Sequence, residues 1–216
     1  MKNRLHLIIL AAMLGASLVP AAHATPIYST LGPGNTFDTN GFVHSGPVSP
    51  PTGSSIGAYA DEFTSPVTAT VGSVSLALLA PPGSIPLAAI GPDDVIIAIH
   101  TNTLTGPGGI LGTFTTQTVP SQPGIVTFSS STGILLVAGT DYWLSVGSST
   151  VAGGTDWFLN NQGIDNFIAS RESGQWTIHG DSTALAFSVN AVPEPGSAAF
   201  STMALAAAYL WRKRSV

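Results

Sequence analysis

Asp141-Tyr142-Trp143-Leu144-Ser145-Val146-Gly147 is the stretch on which the fold turns. Tyr142, Leu144 and Val146 alternate with Trp143, Ser145 and Gly147, the two-residue period of a strand that lays one face on a core. The same period recurs outward along the chain. Val74, Leu76 and Leu78 alternate with Ser75 and Ala77, and Leu185, Phe187 and Val189 alternate with Ala186, Ser188 and Asn190. Val95-Ile96-Ile97-Ala98-Ile99 is apolar on both faces and reads as a central strand covered on two sides. Fainter strand patterns surround Gly57–Phe63, Leu111–Val119, Ile125–Phe128, Asp156–Leu159, Phe167–Ser170 and Gln175–Ile178, rich in β-branched and aromatic side chains.

Turn chemistry separates these runs. Gly32-Pro33-Gly34, Pro50-Pro51, Pro81-Pro82-Gly83, Gly91-Pro92-Asp93, Gly106-Pro107-Gly108-Gly109 and Gly153-Gly154 read as turns or loops, and Gly139-Thr140 as the turn that launches the strand of Tyr142. No segment between residues 25 and 191 shows a long i, i+3, i+4, i+7 pattern. About ten short strands at this spacing predict an all-β domain, an antiparallel β-sandwich or jelly roll. Its length lets it bury a core without the disulfides that a cysteine-free chain cannot form.

Charge is concentrated away from this body. Lys2 and Arg4 lie at one end of the 216 residues and Arg212, Lys213 and Arg214 at the other, so residues 25–191 hold Arg171 alone against ten carboxylates. One arginine cannot replace the counterions around a phosphate backbone, which excludes nucleic acid as a partner. Without lysine the body has no Schiff-base or P-loop chemistry, and without cysteine no thiol nucleophile. Ser and Thr make up 42 of these residues, so hydroxyls rather than charges wet the surface.

The two ends read as addresses. Residues 1–24 have a basic start, an apolar run from Leu5 to Val19 and a small-x-small site at Ala22-His23-Ala24, the parts of a secretory signal cut by signal peptidase before Thr25. The apolar run is shorter than the ~20 residues that span a bilayer. At the other end, Val192-Pro193-Glu194-Pro195 forms a stiff break, followed by uncharged Gly196 to Trp211 and then Arg212-Lys213-Arg214. As a helix the uncharged run would extend ~24 Å, a short membrane span with its basic end towards the cytoplasm.

Val192-Pro-Glu-Pro-Gly, a short helix and a terminal basic cluster together resemble a PEP-CTERM sorting signal, occupying residues 192–216. The resemblance implies recognition of Pro193, Glu194 and Pro195 by an exosortase, with Arg212, Lys213 and Arg214 as the stop signal. It implies passage through the inner membrane to the cell surface or exopolysaccharide matrix of a Gram-negative bacterium. Leu136-Val137-Ala138-Gly139-Thr140-Asp141-Tyr142-Trp143-Leu144, with Trp157, Trp176 and a last strand just before the sorting signal, resembles the choice-of-anchor domains, most closely the R type. These are secreted bacterial β-modules placed upstream of surface-attachment signals, here over residues 25–191.

Signs of a reaction centre are sparse. His44, His100 and His179 form no His-x-x-x-His pair, and there is no Gly-x-Ser-x-Gly elbow. Asp61, Glu62, Asp93, Asp94 and Glu172 could in principle supply a pair of catalytic carboxylates, but adjacent strand residues such as Asp61 and Glu62 point to opposite faces. Calcium is the one cofactor the donor set admits, at Asp38 and Asn40 or at Asp93 and Asp94. Neither group completes an Asp-x-Asp-x-Asp-Gly loop, and solvated loop acids are the plainer reading. Trp143, Trp157 and Trp176 could stack on sugar rings of an extracellular polysaccharide, although core packing is the favoured reading for tryptophans in apolar strands. The expectation is therefore a non-enzymatic exported β-module, with a polysaccharide-binding module and then a secreted hydrolase as the alternatives.

Overall fold

The computed structural model describes residues 24–45, 57–80, 95–115, 117–148, 154–172 and 174–193. Ala22, Glu194, Pro195, Arg212, Lys213, Arg214, Asp93 and Asp94 lie outside these residues, as do the signal segment up to His23 and the expected C-terminal span. Among the described residues no helix is long and apolar enough to cross a membrane.

One compact unit, Thr25–Val192, carries the described fold. Its twelve strands are β1 (Pro26–Ser29), β2 (Asp38–Ser45), β3 (Ala58–Thr64), β4 (Ala69–Leu79), β5 (Val95–Thr103), β6 (Gly106–Thr113), β7 (Gly124–Leu136), β8 (Asp141–Ser148), β9 (Thr155–Leu159), β10 (Asp165–Glu172), β11 (Gln175–Thr183) and β12 (Phe187–Ala191). They form two antiparallel sheets. The first runs β1-β12-β4-β9-β2, with β7 also paired to β4, and the second runs β11-β10-β3-β8-β5-β6. Only β5–β6 and β10–β11 pair with their neighbour in the chain. The ends of the unit meet where Ala191 N–H donates to Thr25 O at 2.9 Å.

The sheets face each other across one core. Val74, Leu76, Leu78, Phe128, Trp157, Phe187 and Val189 come from the first, and Phe63, Ile97, Ile99, Tyr142, Leu144, Val146 and Ile168 from the second. The period-two readings of β4, β8 and β12 therefore name the inward side chains. In β4 the phase slips once, because a bulge between Val71 and Ser73 lets Val71 and Val74 both face inward. Gly72 sits in that bulge, where an added Cβ would come within 2.9 Å of Val192 Cα.

Three expectations need correction. β5 is second from the edge of its sheet, and although Ala98 and His100 on its outer face are buried as for a strand covered on two sides, Ile96 on that face is 43% exposed. Gly106-Pro107-Gly108-Gly109 is not a loop. It begins edge strand β6, which ends at Thr113 rather than continuing to Val119, and the turn lies one step earlier at Leu104-Thr105. Proline is tolerated there because an edge strand leaves one row of N–H groups unpaired. Strands β1 and β2 had no apolar signature because both are sheet edges; β2 leaves most of its side chains partly or fully exposed.

The Gly139 turn is as expected. Gly139 adopts φ +71°, a left-handed value that favours glycine, and its N–H donates to Ser65 O at 2.7 Å. Tyr142 then fastens the turn from below, its hydroxyl accepting the Val137 N–H at 2.9 Å.

Candidate functional site

Strand spacing shows that the second sheet is strongly curled. Strands β5 and β11 are separated by four ladders, roughly 19 Å in a flat sheet at ~4.8 Å per step. Yet the His100 ring on β5 meets the Trp176 ring on β11 edge-on, with centroids 5.9 Å apart. The two edge strands also close on each other, since a Cβ added to Gly106 of β6 would lie 3.4 Å from Ile178 Cγ1 of β11. The face turned away from the main core thus becomes concave and encloses a small core of its own: Ala60, Trp143 and Ala169, with Trp176 against them.

On that face Glu62 of β3, Asn102 of β5 and Trp143 of β8 form a chain of hydrogen bonds. Trp143 Nε1–H donates to Asn102 Oδ1 at 2.8 Å, and Asn102 Nδ2 donates to Glu62 Oε1. An indole N–H only donates and a carboxylate only accepts, so these neighbours fix which way the Asn102 amide points. Partial burial pushes the Glu62 carboxyl above its ordinary range, nearby Asp141 adds to this, and the Asn102 bond opposes it. A cleft of about 510 Å³ opens above this chain, lined by Glu62, Asn102, Thr103, Leu104, Trp143, Phe167 and Ile178. A second depression of about 500 Å³ shares Asn102 and is lined by Leu111, Leu135, Asp141 and Tyr142 among others.

Behind the first cleft, His100 is buried and held at both ring nitrogens. Nδ1 is 3.1 Å from Gly108 O and Nε2 is 2.9 Å from Ser145 Oγ. A carbonyl oxygen can only accept, so the neutral ring carries its proton on Nδ1 and accepts the Ser145 hydroxyl at Nε2. Burial lowers the His100 pKa, the Gly108 bond opposes this, and Arg171 lowers it further. Arg171, the one cation between residues 25 and 191, lies over the Trp176 ring with its guanidinium carbon 5.9 Å from the centroid.

Asp61, next to Glu62, points the opposite way, into the seam between the sheets. It is 0% exposed. Oδ2 accepts the Leu185 N–H at 2.6 Å and Oδ1 accepts Asn166 Nδ2 at 2.7 Å, while the Asn166 amide also contacts the Tyr28 hydroxyl. Burial raises the Asp61 pKa to about 7, against the pull of its two hydrogen-bond donors, with a further rise from Glu62. Burial likewise raises the Tyr28 hydroxyl.

The other expected residues do not converge. Trp157 is 0% exposed in the main core, its Nε1–H bonded to Ala186 O, and Trp143 is 1% exposed on the opposite face of the other sheet. Trp176 is half-buried. The three share no open face: Trp143 and Trp157 pack in two different cores, as the favoured reading has it, and the alternative of a stacking platform of Trp143, Trp157 and Trp176 does not form. Asp38 Oδ1 accepts both the backbone and side-chain N–H of Asn40, which makes a local turn at the start of β2. His44 Nδ1 pairs with buried Asp156 at 2.8 Å across β2 and β9, and exposed His179 meets Ser170 Oγ at 2.7 Å across β10 and β11. Among the described residues no three His, Cys, Asp or Glu side chains gather as they would around a metal ion.

Asn102 escaped the sequence reading because it lies just past an apolar run, with nothing local to mark it. Its role arises when β3, β5 and β8 are laid side by side. No protein-family model matches the chain, and no curated protein matches it.

Proposed function

We propose that this protein is an exported, non-enzymatic β-module of the Gram-negative cell surface or exopolysaccharide matrix. Signal peptidase would cut before Thr25, and an exosortase would read Pro193, Glu194 and Pro195, with Arg212, Lys213 and Arg214 halting transfer in the inner membrane. The observation that carries this reading is the order of the chain: a secretory leader, a lysine-free body, then a Pro-Glu-Pro break, an apolar run and a basic end. The strand exchange supports the jelly-roll form of the sandwich, since β2, β9, β4 and β7 in one sheet interleave in sequence with β3, β8, β5 and β6 in the other.

The mass and N-terminal sequence of the protein recovered from an exosortase-bearing host test the reading. A start at Thr25, a loss of mass at the C-terminus and retention of the uncut chain when exosortase is deleted are expected. A start at Met1, or identical processing without exosortase, refutes it. Deleting residues 193–216 should yield a soluble secreted domain, because the last described backbone bond, Val192 N–H to Thr70 O at 2.9 Å, precedes the cut.

A further inference from the structure

We infer that the curled outer face of the second sheet is a binding groove for a neutral, hydroxyl-rich polymer chain, a glycan, with Glu62 and Asn102 at its centre. Three independent features of the face lead there.

The groove is extended. A depression of about 510 Å³ lies on this face, and a second of about 500 Å³ continues from Asn102 past the start of β8 to the Gly139-Thr140 turn and Leu135 of β7 in the other sheet, so together they suit successive units of a chain better than one compact molecule. Its walls are apolar and open. Leu104 at the β5–β6 turn is 103% exposed and Phe167 is 44%, with Ile178 beside them, while Leu135 of β7 (60%) and Leu111 line the second depression. Exposed apolar side chains gathered around a polar centre mark a place where something binds. The C–H faces of pyranose rings match such walls, while their hydroxyls need planar acceptors between them.

The centre supplies those acceptors in a fixed orientation. Trp143 and Glu62 hold the Asn102 amide from both sides, and Asn102 in turn holds one oxygen of Glu62. Among the described residues Glu62 accepts one hydrogen bond, at Oε1, and Oε2 is the oxygen assigned to a ligand hydroxyl. Asp141, in the second depression, is likewise held by a neutral donor, the Thr64 hydroxyl at 2.6 Å. Carboxylates oriented by amide and hydroxyl groups, rather than by cations, are suited to hydroxyl donors. The charge at this centre also selects the ligand: two carboxylates repel phosphate, sulfate and uronate chains. A peptide added along a free strand edge would bypass these residues, which project from a sheet face.

This inference stands apart from the export reading, since it concerns the folded face and not the addresses. Affinity electrophoresis of the full chain through gels containing dextran, galactomannan or xyloglucan tests it, with alginate and chitosan oligomers as charged comparators. Retardation by at least one neutral polymer, unchanged by added salt, is expected. Glu62→Ala should weaken it about tenfold or more, as loss of a charge-assisted hydrogen bond does. Leu104→Ser, whose side chain is fully exposed at the β5–β6 turn, should weaken it several-fold with no change in melting temperature. Migration unaffected by every neutral polymer overturns the proposal. So does retardation that Leu104→Ser leaves intact, or binding confined to alginate or to chitosan and abolished by salt.

Discussion

Asp61 Oδ2 accepts the backbone N–H of Leu185 at 2.6 Å, and this bond ties the second sheet to the first. Leu185 is bridged to Leu159 of β9, while Asp61 sits in β3 and its other oxygen takes Asn166 of β10. Tyr28 of β1 completes the tie through the Asn166 amide. A buried carboxylate thus serves structure, accepting N–H groups from both sides of the seam.

Asp61→Ala should therefore cost about 2–4 kcal/mol, because it orphans the Leu185 N–H and the Asn166 amide in a dry site. Asp61→Asn should recover only part of this, since its NH₂ faces a donor whichever way it turns. Urea unfolding of the three proteins measures both effects. Equal midpoints for wild type and Asp61→Ala would contradict the assignment.

The same residue sets a pH dependence. With the folded pKa raised to about 7 from 3.8, the native state holds the proton more tightly than the unfolded chain. The contribution from Asp61 is complete below the unfolded value and fades as pH rises towards about 7. The stability difference between wild type and Asp61→Asn should shrink steadily from pH 4 to pH 7. A difference that grows over this range would show that the Leu185 and Asn166 donors outweigh burial.

His100 acts with the opposite sign. Its lowered pKa means that the unfolded chain takes up protons first as pH falls, so wild type should lose stability below about pH 6.5. Replacing it with Gln should flatten that limb. Nitrogen-detected NMR at neutral pH should show the proton on Nδ1, facing Gly108 O, and a proton on Nε2 instead would refute the geometry.

Gly106 has φ +113° and lies under Ile178 and Trp176. Gly106→Val should destabilise by about 1–3 kcal/mol and loosen β11 from β6, because a β-branched residue cannot hold that backbone conformation. Faster hydrogen exchange in β11 than in β4 would report the loosening; unchanged exchange would show that β11 is held by β10 alone.

Gly108 is constrained differently. An added Cβ would come within 2.6 Å of both Thr101 Oγ1 and Thr103 Cγ2, so Gly108→Ala should push β6 away from β5. The His100 Nδ1–Gly108 bond reports this: its loss moves the His100 ring proton upfield and lowers further the pH at which the ring titrates, since that bond favours the charged ring. An unshifted His100 titration would place the strain elsewhere.

The residues alone settled the all-β class and the inward faces of β4, β8 and β12, since a strand's period of two is local and each residue carries its own preference for oil or water. Tertiary structure decided the rest. Ten of the pairings that build the sheets join strands, and all but β5–β6 and β10–β11 are remote in sequence. Edge strands β1 and β2 needed those partners to exist, having too little buried surface to announce themselves. The glycine run at 106–109 became a strand through its ladder with β5, and Asn102 joined Glu62 and Trp143 only because three strands lie side by side. Hydrogen bonds between distant strands depend on register and curl, and these are properties of the assembled sheet that no short window of residues contains.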